Sequence, residues 1–217
     1  FDIETTGFDV DDEVTVVGFA VPMGVRVFVQ TGGRPVEGVG DDVAAAVEDE
    51  AGALVNVSTH SSEQGLFAAV SAFVTDRCCG RDVLLVAFNG ETWSGGVDLP
   101  FFRTRFARVG LPWPFDDVAY ADLLPVVSDR FNTTVDGDAQ NDLGRAYMVL
   151  CDGAYGALDP FADSEEAVAA FEDGRFDALI RHNVADVLRT RALGRVAERY
   201  CAKSEFHVKS LTPTRDP

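Results

Sequence analysis

Two acidic residues stand two positions apart at the start of the chain. Asp2 and Glu4 fall in the string Phe1-Asp2-Ile3-Glu4-Thr5-Thr6-Gly7, which reads as the end of a strand. Residues two apart on a strand share a face, so these carboxylates repel each other unless a positive charge sits between them. A hard divalent ion with oxygen ligands, Mg2+ or Mn2+, is the usual solution. Thr5 and Thr6 then lead into a glycine turn where a substrate backbone can come close. Taken alone, the pair is also what a solvated strand end looks like in an acid-rich protein.

Two further segments carry chemistry. Asp98 follows the apolar run 82–88 (DVLLVAF) and Asn89-Gly90, and heads Asp98-Leu99-Pro100-Phe101-Phe102-Arg103-Thr104-Arg105. Pro100 fits the first turn of a helix running to about Val109, and Asp98 also fits a plain helix cap. Later comes Arg181-His182-Asn183-Val184-Ala185-Asp186-Val187. His182 and Asp186 are four apart and share one helix face. An imidazole, with its ordinary pKa close to neutral, is a credible general base; a surface or capping histidine is the alternative. Arg103, Arg105 and Arg108 recur at roughly helical spacing, suited to phosphate contacts or to offsetting nearby acids.

DIETTG resembles the first motif of the DEDD exonucleases, the DnaQ-like group that includes the proofreading domains of DNA polymerases. The Asp98 string is similar to the second motif of the family-B polymerase branch, and the His182–Asp186 segment to the third motif. All three occur in order across residues 2–186. Two departures stand out. Asn89 and Asp98 are farther apart than their counterparts, so 91–96 reads as a small insertion. One branch of the family places Tyr four residues before the last Asp and another places His five before it; here His lies four before. The resemblance implies an α/β, ribonuclease H-like fold, a mixed five-stranded sheet flanked by helices on both faces. It implies that Asp2, Glu4, Asp98 and Asp186 hold two Mg2+ or Mn2+ ions and that His182 accepts a proton from water. Thr5, Thr6, Asn89 and Arg105 would meet the substrate. The implied reaction is 3′–5′ hydrolysis of terminal phosphodiesters in single-stranded nucleic acid, DNA favoured, giving nucleoside 5′-monophosphates. A replication or repair protein is the expected partner. An RNA-cleaving nuclease of the same fold, or a nucleic-acid-binding module that has lost catalysis, stays open.

The elements that must position these residues are legible from periodicity. The β-branched runs Val14–Val21 and 25–30, joined by Pro22-Met23-Gly24, predict a hairpin. Residues 31–42 read as a loop, 43–53 as a short helix and 54–58 as a strand. Apolar residues at 66, 67, 70, 73 and 74 predict a helix over 62–77. The run 82–88 reads as a fully buried strand and 118–121 as a short one. Helices are expected over 122–129, 141–150 and, most strongly, Phe176–Tyr200. The whole predicts a mixed sheet with helices on both faces, formed by residues 1–201, followed by a polar, mobile tail over 202–217. Lys203, His207 and Lys209 make that tail locally basic, a possible guide for a strand. The chain opens inside a strand, so earlier residues of that strand are expected to precede Phe1.

Composition sets the setting. Lys plus Arg total 18 against 36 Asp plus Glu, a net charge of −18, and the two lysines are Lys203 and Lys209. Such a surface repels nucleic acid at low salt. At ~1 M salt the Debye length falls to ~3 Å and the repulsion is screened. We therefore expect a halophilic setting, in which acidity does not exclude a nucleic-acid substrate. With 47% hydrophobic and 25% charged residues the chain can bury a core, which excludes global disorder. No apolar run reaches the ~18 residues of a membrane span and no basic-then-apolar leader opens the chain. Cys78, Cys79, Cys151 and Cys201 are too few and too scattered for a disulfide scaffold or zinc knuckle. A reduced cytoplasm fits them.

Overall fold

The β-branched runs form the hairpin, and that hairpin is the centre of the protein. In the computed structural model, which describes residues 1–36, 39–91, 98–151, 153, 155, 157–162 and 164–214, β1 (Asp2–Thr5), β2 (Val14–Val21) and β3 (Gly24–Gln30) run as an antiparallel meander. Helix α1 (Val39–Ala51) then crosses to β4 (Leu54–His60), which pairs parallel to β3. The first sheet has four strands in the order β1-β2-β3-β4. Helix α2 (Glu63–Arg77) is capped by Ser62, whose hydroxyl accepts from the Gly65 amide. A second sheet follows: β5 (Leu84–Ala87) parallel to β6 (Ala119–Asp122), with α3 (Asp98–Val109) between them.

Helix α4 (Leu123–Arg130), the small hairpin β7 (Thr134–Val135) and β8 (Asp138–Ala139), and α5 (Leu143–Cys151) come next. Helices α6 (Ser164–Glu172) and α7 (Phe176–Tyr200) complete the helical set. The chain returns through a 3-10 turn (Lys203–Phe206) to β9 (Lys209–Ser210), antiparallel to β6.

Period-2 alternation along the hairpin gives each face its own partner. Val16, Val27 and Val29 pack with α1 and with Leu179, Ile180, Val184 and Val187 of α7. Val17, Phe19 and Phe28 turn the other way, against Leu66, Phe67 and Val70 of α2 and Leu99, Phe102 and Phe106 of α3. Helices therefore cover both faces of a mixed α/β fold. Glu4 and Asp2 lie on the α7 side, opposite Val16 and Gly18 of β2.

The described strands fall into a four-stranded sheet, a three-stranded sheet and the small β7–β8 hairpin; the Phe1 nitrogen, donating to the Val86 carbonyl at 2.8 Å, spans the seam between the first two. Two expectations change. The apolar run at 82–88 is not fully buried, since Leu84 is 41% exposed and β5 pairs with β6 alone among the described strands. The tail is part of the fold as far as it is described: Leu211 is buried in the aromatic core. Its amide donates to the Val118 carbonyl and its carbonyl accepts from the Trp113 indole. Buried Phe206 and Leu211 hold a segment that is otherwise mostly polar, with Val208 exposed. The expected insertion at 91–96 falls largely outside the described residues.

Candidate metal and catalytic site

Three elements bring the sequence-predicted acids together. Asp2 and Glu4 project from β1, Asp98 opens α3 and Asp186 sits midway along α7. Helix α7 can approach β1 because Gly18, opposite Asp2 in the neighbouring strand, has no side chain. A Cβ there would collide with Asn183 Oδ1 and lie 3.0 Å from Val187 Cγ1. Asn183 is fully buried and donates from Nδ2 to Asp2 Oδ2 at 2.9 Å and to Glu4 Oε1 at 3.4 Å.

The electrostatics follow from burying like charges together. Burial, then the Asp186 charge, raises the Asp2 carboxyl to about 7. Burial lifts Glu4 well above the usual carboxylate range, with Asp2 and Asp186 adding to it against the pull of His182. Asp98 is raised well above its ordinary value by burial and then by Asp2. Asp186 is raised by burial, opposed by His182 and Arg189.

His182 stands beside this cluster. Its Nε2 lies 3.9 Å from Glu4 Oε1 and 3.8 Å from Asp186 Oδ2, and its Nδ1 is 2.8 Å from Asp159 Oδ1. Burial alone would lower its pKa; the Asp159 hydrogen bond and the charges of Glu4 and Asp186 outweigh burial and raise it to about 10. With no cation among these carboxylates, the surrounding negative charge favours the protonated imidazole.

Asp159 and Arg189 were not anticipated. Arg189 Nη1 donates to Asp159 Oδ2 and to Asp186 Oδ1, each at 2.6 Å. Ligand atoms of Asp159, His182 and Asp186 lie within 4.8 Å of one another, but hydrogen bonds to His182 and Arg189 already occupy both Asp159 oxygens. The set Asp2, Glu4, Asp98 and Asp186 offers only oxygen donors, the chemistry that hard divalent ions take. Its members repel one another, and that repulsion is what a cation relieves.

The other predicted site residues have structural work. Thr6 Oγ1 donates to Asp12 Oδ1 and accepts from the Glu13 amide, each at 3.0 Å, closing the β1–β2 turn. Thr5 is buried at the end of β1. Asn89 adopts a left-handed φ of 60°; its amide donates to Asp122 Oδ1 at 2.9 Å. Asp122 also accepts from the Glu91 and Leu124 amides, so it caps α4 and clamps the loop leading toward Asp98. Arg105 is corrected: it is buried, forks onto both Glu63 oxygens at 2.9 and 2.7 Å and donates to the Val10 carbonyl. Its guanidinium serves the core, not a phosphate.

No sequence-family model matches the chain, and no curated protein matches it. Among the described residues no helix is long and apolar enough to cross a membrane.

Proposed function

We propose that the chain is a two-metal-ion 3′–5′ exonuclease that removes nucleoside 5′-monophosphates from single-stranded nucleic acid, DNA favoured, in a salt-rich cytoplasm. The observation that carries this reading is the convergence of Asp2, Glu4, Asp98 and Asp186 from three elements, with all four carboxyls raised by burial. The finer fold reading is a ribonuclease H-like five-stranded sheet in the order β3-β2-β1-β5-β6, with β4 added at its edge. The Phe1-to-Val86 hydrogen bond across the seam supports it.

When bound, a pair of Mg2+ or Mn2+ ions would supply an activated water and stabilise charge on the leaving 3′ oxygen. Asp2, Glu4, Asp98 and Asp186 would hold them. Asn183 keeps Asp2 and Glu4 aimed along one face by donating to both. His182, whose Nε2 faces Glu4 and Asp186, would be the group that accepts the water's proton. A frayed or single-stranded end is the substrate this reading assigns.

The test is cleavage of 5′-labelled single-stranded DNA and RNA in concentrated KCl, with Mn2+ or EDTA, alongside Asp2→Ala. Metal-dependent, stepwise shortening that the variant lacks is the expected result. Internal cuts, or shortening of RNA alone, would replace it with the ribonuclease reading. Binding without cleavage by folded, metal-loaded protein would leave a binding module.

A further inference from the structure

We infer that Asp159 is a positioning residue: one of its carboxylate oxygens holds the His182 ring and the other, through Arg189, holds Asp186. This deepens the proposed function and rests on it for the activity readout below.

Asp159 lies in the segment between α5 and α6, anchored by Leu158, which is buried against the α7 face of the first sheet. Its Oδ1 accepts from the Phe161 amide at 3.1 Å and meets His182 Nδ1 at 2.8 Å. Its Oδ2 accepts from Arg189 Nη1, which also donates to Asp186 Oδ1. The side chains of Asp159, His182 and Arg189 are only 9–11% exposed. The Phe161 ring packs against the imidazole with centroids 5.2 Å apart.

A buried ion-pair network can be purely structural. The imbalance between the two ring nitrogens argues otherwise. Nδ1 is tied by a short hydrogen bond, while Nε2 has no hydrogen-bond partner among the described residues and points between Glu4 and Asp186, 3.9 and 3.8 Å away. Fixing one imidazole nitrogen on a carboxylate sets the ring's orientation and leaves the other nitrogen for chemistry. Arg189 does for Asp186 what Asp159 does for His182: it spends one carboxylate oxygen on a fixed partner and leaves Oδ2 facing the site. Two working groups on α7 are thus set by a single loop carboxylate. Outer partners of this kind typically change activity by about 10–100-fold when removed.

Asp159→Asn and Asp159→Ala, in the full chain in concentrated KCl, separate the roles. The Asn variant keeps an acceptor oxygen for His182 Nδ1; the Ala variant does not. The chain has three histidines, so a 15N-histidine NMR spectrum resolves the His182 ring. We expect the hydrogen-bonded Nδ1 signature to survive in Asp159→Asn and vanish in Asp159→Ala. With labelled single-stranded DNA and Mn2+, kcat should fall about 10–100-fold in Asp159→Ala with KM little changed. Asp159→Asn should retain more of it. An unchanged ring signature and kcat in folded Asp159→Ala, with only a lower Tm, would overturn the assignment. So would loss of the signature in folded Asp159→Asn. If the wild-type chain cleaves neither nucleic acid while the ring signature follows Asp159, the nuclease reading falls and Asp159 still orients His182.

Discussion

Gly18 and Asn183 occupy one another's space: the missing Cβ of the glycine is where the carboxamide oxygen of the asparagine lies. Helix α7 consequently sits close enough to β1 for Asn183 to hold both Asp2 and Glu4. Gly18→Ala should push the helix away, costing about 1–3 kcal/mol as overpacking. The carboxylate geometry should be lost with it. Urea unfolding and Mn2+ titration calorimetry would register both effects, and a variant with wild-type stability and metal affinity would contradict this account.

The pH dependence of stability has a definite sign. Asp2 titrates near 7 in the fold against 3.8 ordinarily, so between those values the native state holds a proton that the unfolded chain has released. An acid shifted upward stabilises the fold as pH falls, the reverse of the usual carboxylate. His182 titrates near 10 against 6.5. Its contribution is complete below 6.5 and disappears as pH rises through 10. Both shifts make EDTA-treated protein less stable at about pH 9 than at about pH 6. Denaturation across that range checks this, and His182→Gln should flatten the upper part of the slope. Divalent ions compete with the same protons, so Mn2+ affinity should weaken below about pH 7.

Arg105 and Glu63 provide a control for the substrate-binding reading of the arginines. Both side chains are under 10% exposed, and Glu63 also accepts from the Val14 amide. Arg105→Ala leaves a buried carboxylate without its cation, costing about 3–5 kcal/mol. KM for a labelled single strand, measured on the folded fraction, should not move. A raised KM at unchanged stability would return Arg105 to the phosphate.

Asp122→Ala removes the acceptor for three amides, those of Asn89, Glu91 and Leu124. Stability should fall by about 1–3 kcal/mol. Because these bonds hold the loop leading to Asp98, Mn2+ affinity should fall as well. Calorimetry on Asp122→Asn, which keeps one acceptor oxygen, should give an intermediate value.

Much of this was legible because it depends on local spacing. The i, i+2 pair Asp2 and Glu4 and the i, i+4 pair His182 and Asp186 are fixed by strand and helix geometry, and the apolar period placed α7 at Phe176–Tyr200. Asn183 carries a weaker signal, its i, i+3 relation to Asp186 on the same helix. Asp159 gave none: it is 23 residues from His182, and their meeting depends on a loop folding back over α7. Arg105 misled because a long cation on a helix looks the same in sequence whether it faces solvent or a buried glutamate. The pairing of β9 with β6 was hidden for a similar reason, since a few scattered apolar residues such as Phe206 and Leu211 look the same in sequence whether buried or free.

Helix α7 has 25 residues, about 37 Å at the usual rise. It packs against all three strands of the opening meander and against four other helices. His182, Asn183 and Asp186 occupy its second and third turns. Amides there have no route to solvent that leaves the rest of the molecule intact, so their hydrogen exchange should report only global opening. Heat or denaturant should then extinguish the site and the fold in one cooperative event, with no folded but inactive species in between.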